Sequence, residues 1–409
     1  MDVLSLDSIS LHSYAGLPMK GLGASKANIM NKSNIQVFVP KFRIDETLDE
    51  MRECLEKGWT GLGYKTVELE SEWKAYTGHQ HAHFLSSATA ALHLAVAVNK
   101  EKFGWEEGDE VISSAMTFVS TNHAVLYERM KVVFADVDKY GCLDPQKIEE
   151  KITPRTRAVI FVGLGGNTGQ LEAVSKLCHE RGIVLILDAA HMAGTRLNGR
   201  FPGVDLADVT CYSFQAVKNM PTADSGMVCF ADAELDASAR KMAWLGISRD
   251  TFSRSSVKGD YKWYYDVENV GFKYNGNALM AAVGLVSLRH LDEDNAYRRQ
   301  ICSWYDDYLS DVPGIEHVEQ AEGCEGSRHL YQVLVSDRDT VLQSLYEKGI
   351  FPGVHYRDNT EYKMYEFARG TLPNTAYMSN HVISLPVHMN LTQSDVERVA
   401  TALKQAMRA

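Results

Sequence analysis

Along the chain, short apolar runs alternate with longer stretches in which apolar residues recur every three or four positions. The runs are HAHFLSS (81–87), EVISSAMTF (110–118), KVVFADV (131–137), AVIFVGL (158–164), IVLILD (183–188), VTCYSF (209–214) and GMVCF (226–230). Several are apolar on consecutive positions, as strands covered on both faces must be. The pattern predicts an α/β fold, a mostly parallel seven-stranded sheet between helices, with ligands at the carboxyl ends of the strands. Ahead of the sheet, IDETLDEMRECLEKG and KTVELESEWKAYTG read as two helices with glycine stops. Beyond residue 290, DEDNAYRRQICSWYDDYLSDV and RDTVLQSLYEKG read as helices, RHLYQVLV as a strand and SDVERVATALKQAM as a closing helix. The expected organisation is therefore an N-terminal arm (1–35), a large domain (36–290) and a small C-terminal α/β domain (291–409).

Composition narrows the function classes. With 45% apolar and 23% charged residues the chain is an ordinary globular sequence and not a disordered one. A net charge of −11 without a basic run excludes the electrostatic footprint of a nucleic-acid binder. The seven cysteines are scattered, and none forms a CxxC pair, which argues against a disulfide framework or a zinc ribbon. No secretory leader and no apolar run of membrane-spanning length is evident, so the expected location is the cytoplasm.

Three places carry candidate chemistry. Asp188 ends the run IVLIL; a carboxylate there is costly unless it caps the next segment or meets a cation, such as a protonated pyridine nitrogen. Thirty residues on, YSFQAVKN brings Ser213 and Lys218 to the same sheet edge, where burial would lower the lysine pKa and free its amine to form an imine. The small residues of LSSATAAL turn a strand into a helix, and the unpartnered N–H groups at that corner suit a phosphate. Phe118 ends another run and could stack on a flat heteroaromatic ring. Two rival motifs compete. The segment AVIFVGLGGNTGQLEAV has the strand–turn–helix order of a nicotinamide-dinucleotide fold, yet Thr168 stands where the third glycine of GxGxxG belongs. His79, His81 and His83 alternate along a strand and could share a face towards a metal, but no carboxylate or cysteine sits at ligand spacing beside them in the sequence.

Taken in order, SATAAL, TFVST, DAAH, SFQAVKN, GFKYNGNALMAAVGL, GVHY and ISLPVHMNLT resemble the DegT/StrS family of sugar aminotransferases, from about residue 40 to the C-terminus. The resemblance implies fold type I and a pyridoxal 5'-phosphate cofactor that cycles through pyridoxamine 5'-phosphate. Its implied activity moves an amino group from an amino acid, L-glutamate, to a keto sugar that carries a nucleotide, in bacterial surface polysaccharide or amino-sugar synthesis. Residue by residue, it implies a Schiff base on Lys218, Asp188 against the pyridine nitrogen, His191 by the ring and phenolic oxygen, and Phe118 stacked on the ring. The backbone at Ala88 and Thr89, with the Ser213 hydroxyl, would hold the phosphate, and Asn275 would reach it from the partner of a homodimer with shared active sites. Gln215, Asp224-Ser225 and Gly163 depart from the family pattern, so the substrate wall is altered. Within the same fold, an inactive pyridoxal-binding regulator or a dehydratase is an alternative, but dehydratase relatives replace the lysine with histidine.

Overall fold

The structure, a computed structural model, describes residues 34–248 and 265–408. From Ile35 onward the chain is one compact unit. All seven apolar runs become strands of one sheet: β1 (His83–Leu85), β2 (Glu110–Ser114), β3 (Lys131–Ala135), β4 (Thr156–Val162), β5 (Val184–Asp188), β6 (Val209–Ser213) and β7 (Gly226–Phe230), in the order β1-β7-β6-β5-β4-β2-β3. The five strands from β6 to β3 are parallel, while β7 and β1 close one edge antiparallel. Alternate residues enter opposite cores: Val159, Phe161, Leu185 and Leu187 on one side, Ala158, Ile160 and Ile186 on the other. That two-sided burial is why these strands read as continuous apolar runs.

Helices α1 (Ile44–Glu56), α2 (Tyr64–Thr77), α3 (Ala88–Phe103), α4 (Val119–Tyr127), α5 (Leu171–Arg181) and α6 (Ala278–Arg289) occupy the same part of the chain. After residue 290 come α7 (Leu291–Leu309), α8 (Arg338–Glu347) and α9 (Gln393–Ala406), with an antiparallel sheet of β8 (Ile315–His317), β9 (Tyr331–Val335) and β10 (Val382–Leu385). Two strands fall short of their runs by four residues each. The second run stops at Ser114 because Asn122 takes its carbonyl (3.0 Å) and its hydroxyl takes the N–H of Met116 (2.9 Å), turning the chain towards Phe118. The run 81–87 keeps only three strand residues because Ser87 leaves the sheet to cap α3.

Register decides what meets at the carboxyl edge. Val162 pairs with Asp188, Asp188 with Cys211, and Ser213 with Gly226, which in turn pairs with Leu85. The end of β5, the end of β6 and the strand-to-helix corner after β1 are therefore neighbours. Most of the N-terminal arm and residues 249–264 lie outside the described residues.

Candidate active site

A cavity of about 450 Å³ opens at that carboxyl edge. Seven of the eight candidate residues line it: Ala88, Thr89, Phe118, Asp188, His191, Ser213 and Lys218. Asn275 does not. It pairs with Leu85 on the outer edge of the sheet and faces a smaller pocket beside Gly63, Thr66 and Trp244, with its side-chain oxygen buried and unbonded among the described residues.

At the corner, the Ser87 side chain accepts from Ala90 N at 3.1 Å, so the hydroxyl acts as an N-cap. The N–H groups of Ala88 and Thr89 have no acceptor within the helix and face the cavity mouth. Gly226 makes room for this approach: a Cβ there would lie 2.6 Å from Ala88 N. Ser213 sits beside the corner through the register above. Together these groups form an anion cradle of backbone donors at a helix start.

Lys218 hangs from a tight turn. Its N–H bonds to Gln215 O (2.8 Å), and the Gln215 side chain accepts from Val217 N (3.0 Å), so Gln215, one of the departures from the family pattern, shapes this turn. The amine is enclosed by protein yet faces the cavity, and no carboxylate pairs with it among the described residues. Burial pulls its pKa down to about 8, against a smaller opposing pull from Asp188. Asp188 is displaced the other way: burial raises its pKa, although Thr121 Oγ1 donates to it at 2.7 Å and Ala190 N at 3.1 Å. The turn-capping role and the cation-seeking role thus coexist in one carboxylate, whose two bonds leave acceptor capacity unused.

His191 is locked in one tautomer. Gly165 N donates to Nδ1 (3.1 Å), so the ring proton sits on Nε2, 3.1 Å from the Tyr356 hydroxyl, and burial keeps the ring neutral. The same turn explains the dinucleotide-like motif. Gly165 and Gly166 adopt positive φ, and a Cβ on Gly166 would meet Ser327 Oγ at 2.2 Å. These glycines pack the turn against His191 and Ser327. At Gly163 a side chain would strike Met192 Sδ at 2.0 Å, so Met192 fills the place the departure leaves open. Two of the three rival histidines find other partners: His79 bonds Tyr212 and His83 bonds Glu70.

The sequence reading missed a second wall. Phe38, His329, His355 and Tyr356 close the cavity opposite the sheet. His329 and His355, like His191, lie close enough to Lys218 for their charges to oppose one another, and burial lowers the pKa of both. Only the GVHY motif marked part of this wall, and it came without roles.

The chain matches the DegT/DnrJ/EryC1/StrS aminotransferase family over residues 43–404. It is 32% identical to the spore coat polysaccharide biosynthesis protein SpsC of Bacillus subtilis, covering 89% of this chain and 95% of that one. Among solved structures it resembles the aminotransferase TlmJ from Streptoalloteichus hindustanus (TM-score 0.84, 31% identity, 91% of this chain and 99% of that one). It also resembles a sugar aminotransferase from Streptococcus pneumoniae in its pyridoxamine phosphate form (TM-score 0.85, 27% identity, 92% and 99%), which has also been solved in a pyridoxal phosphate form. With a mostly parallel seven-stranded sheet and a lysine and an aspartate sharing the cavity at its carboxyl edge, the chain belongs to the DegT/DnrJ/EryC1/StrS aminotransferase family.

Proposed function

We propose that this protein moves an amino group from an amino acid, L-glutamate in our reading, to a nucleotide-linked keto sugar, in surface polysaccharide or amino-sugar synthesis. One observation carries the reading: an unpaired lysine with a pKa near 8 shares a cavity with a buried, under-bonded aspartate and a backbone anion cradle. This donor set fits pyridoxal phosphate, the cofactor of these aminotransferases. When bound, the cofactor supplies an aldehyde for amine exchange and an electron sink for a carbanion.

The chain's own groups do the rest. Asp188 offers a negative charge to a ring cation, while Thr121 and Ala190 hold its oxygens in place. Ala88, Thr89 and Ser213 are placed to bind phosphate, and Phe118 stands exposed at the mouth as a flat surface for the ring. Lys218 Nζ, poised between charged and neutral forms, accepts and returns a proton near neutral pH. His191, with Nδ1 occupied, keeps its ring neutral and presents a donor at Nε2.

In the same reading the protein is a cytoplasmic homodimer with shared sites. Asn275 faces away from its own cavity, and α1 exposes the apolar residues Ile44, Leu48 and Leu55 at helical spacing. No helix among the described residues is long and apolar enough to cross a membrane. The experiment is a screen of the pyridoxamine-loaded protein against free and nucleotide-linked keto sugars. Return of visible absorbance with a keto sugar is expected; return with keto acids alone overturns the sugar assignment.

A further inference from the structure

Behind Lys218 runs a chain of buried side-chain amides. Asn219 Nδ2 donates to Asn295 Oδ1 and to Ser327 O, both at 2.7 Å. Asn295 is itself oriented, because its Nδ2 donates to Ala193 O at 2.8 Å. The amide of Asn219 therefore has one possible orientation, with Oδ1 as an acceptor 3.0 Å from His329 Nδ1. A carbonyl oxygen cannot donate, so the His329 proton must sit on Nδ1. Burial, with Lys218 and His191 nearby, disfavours a second proton. Nε2 is left as a bare lone pair on a ring that is 1% exposed, lines the cavity, and has no other hydrogen-bond partner among the described residues. Phe38 stacks on the ring at 5.0 Å and 9°, and His191 lies 4.3 Å away, so the ring cannot swing out easily.

Nε2 belongs to a ring that lines the cavity, and no protein donor meets it, so a ligand that brings a donor into the cavity gains a hydrogen bond there. The donor acid's carboxylates are acceptors and would be repelled here; a sugar presents hydroxyls. Resting on the function proposed above, we propose that His329 Nε2 accepts a hydrogen bond from a hydroxyl of the keto sugar, in the tautomer that Asn219 imposes. His329 is then a determinant of sugar recognition, and Asn219 couples it to the turn that carries Lys218.

The test measures the two half-reactions separately on cofactor-loaded protein. His329→Phe keeps the stack on Phe38 but loses both nitrogens. Decay of the visible absorbance with the amino donor should stay within about twofold of wild type. The KM for the keto sugar should rise about tenfold or more while kcat changes less, the size expected for an unmade buried hydrogen bond. His329→Gln, which can donate to Asn219 and still offer an oxygen, should recover part of the loss. Equal slowing of both half-reactions, or a glutamine variant no better than phenylalanine, overturns the proposal. A second measurement needs no variant: removing the sugar's hydroxyls one at a time should cost wild type about tenfold at one position, and a full series used as well as the parent also overturns it. A wild-type protein that takes up cofactor and donor but aminates no keto sugar refutes the functional reading itself, a result distinct from either of these.

Discussion

Two lysines among the described residues, Lys65 and Lys218, are treated in opposite ways. Lys65, on α2, is 3% exposed and meets Glu50, Glu53 and Glu68 at 2.5 to 3.0 Å. Its carboxylate partners raise its pKa despite burial. Lys218 is enclosed by the sheet edge, three histidines and Tyr356, has no carboxylate partner at bonding distance, and falls to about 8. The difference lies in what each charge is for. A structural lysine is matched until its charge is cheap to keep; a reactive one is left unmatched so that the neutral amine is within reach.

Asp188→Asn removes the carboxylate whose charge acts on Lys218 and should slow both half-reactions by orders of magnitude while the protein still binds cofactor. Near wild-type turnover would reduce Asp188 to a turn cap. Lys65→Met should leave the cofactor's colour untouched and lower stability by about 2 kcal/mol in urea unfolding, the range for charged hydrogen bonds reduced because Glu53 and Glu68 face solvent. Lys57 and Lys65 hold Glu53 down at about 2, so its contribution is present above its usual 4.5 and fades as pH falls towards 2. That acid-side slope should shrink in the Lys65 variant; an unchanged slope would show the cluster to be inert.

Asn275→Ala should weaken cofactor retention by about tenfold, the worth of one charge-assisted bond. For the homodimer with shared sites proposed above, mixing it with Lys218→Ala subunits should recover activity towards half per dimer, and no recovery in verified heterodimers would place Asn275 outside any shared site. The smallest effect is kinetic. Cofactor-free protein should take up pyridoxal phosphate faster as pH rises, levelling off above about 8, where Nζ is neutral. A profile still climbing to pH 10 would mean that Lys218 is not depressed.

The large sheet was legible because burial on both faces writes itself as consecutive apolar residues, and its register then brought Asp188, Ser213 and the corner at Ala88 together. Strand ends were less so, since Asn122 and Ser87 end strands through side-chain bonds that no period reveals. The wall of Phe38, His329, His355 and Tyr356 was legible only at GVHY: Phe38 and His329 lie far from that motif in sequence and meet it only through packing. The amide pair Asn219–Asn295 could have been found only by asking what holds the residue after the lysine. The GLGG turn shows the reverse case, a motif whose glycines answer to packing against His191 and Ser327.

Lys218 is left unpaired so that its amine can hold a cofactor. Borohydride treatment of the purified, pyridoxal phosphate-loaded protein, followed by peptide mapping, tests it most directly. The visible absorbance should bleach and the cofactor should be fixed on the peptide containing Lys218; a label on another lysine, or a protein that takes up no colour, would rule this role out.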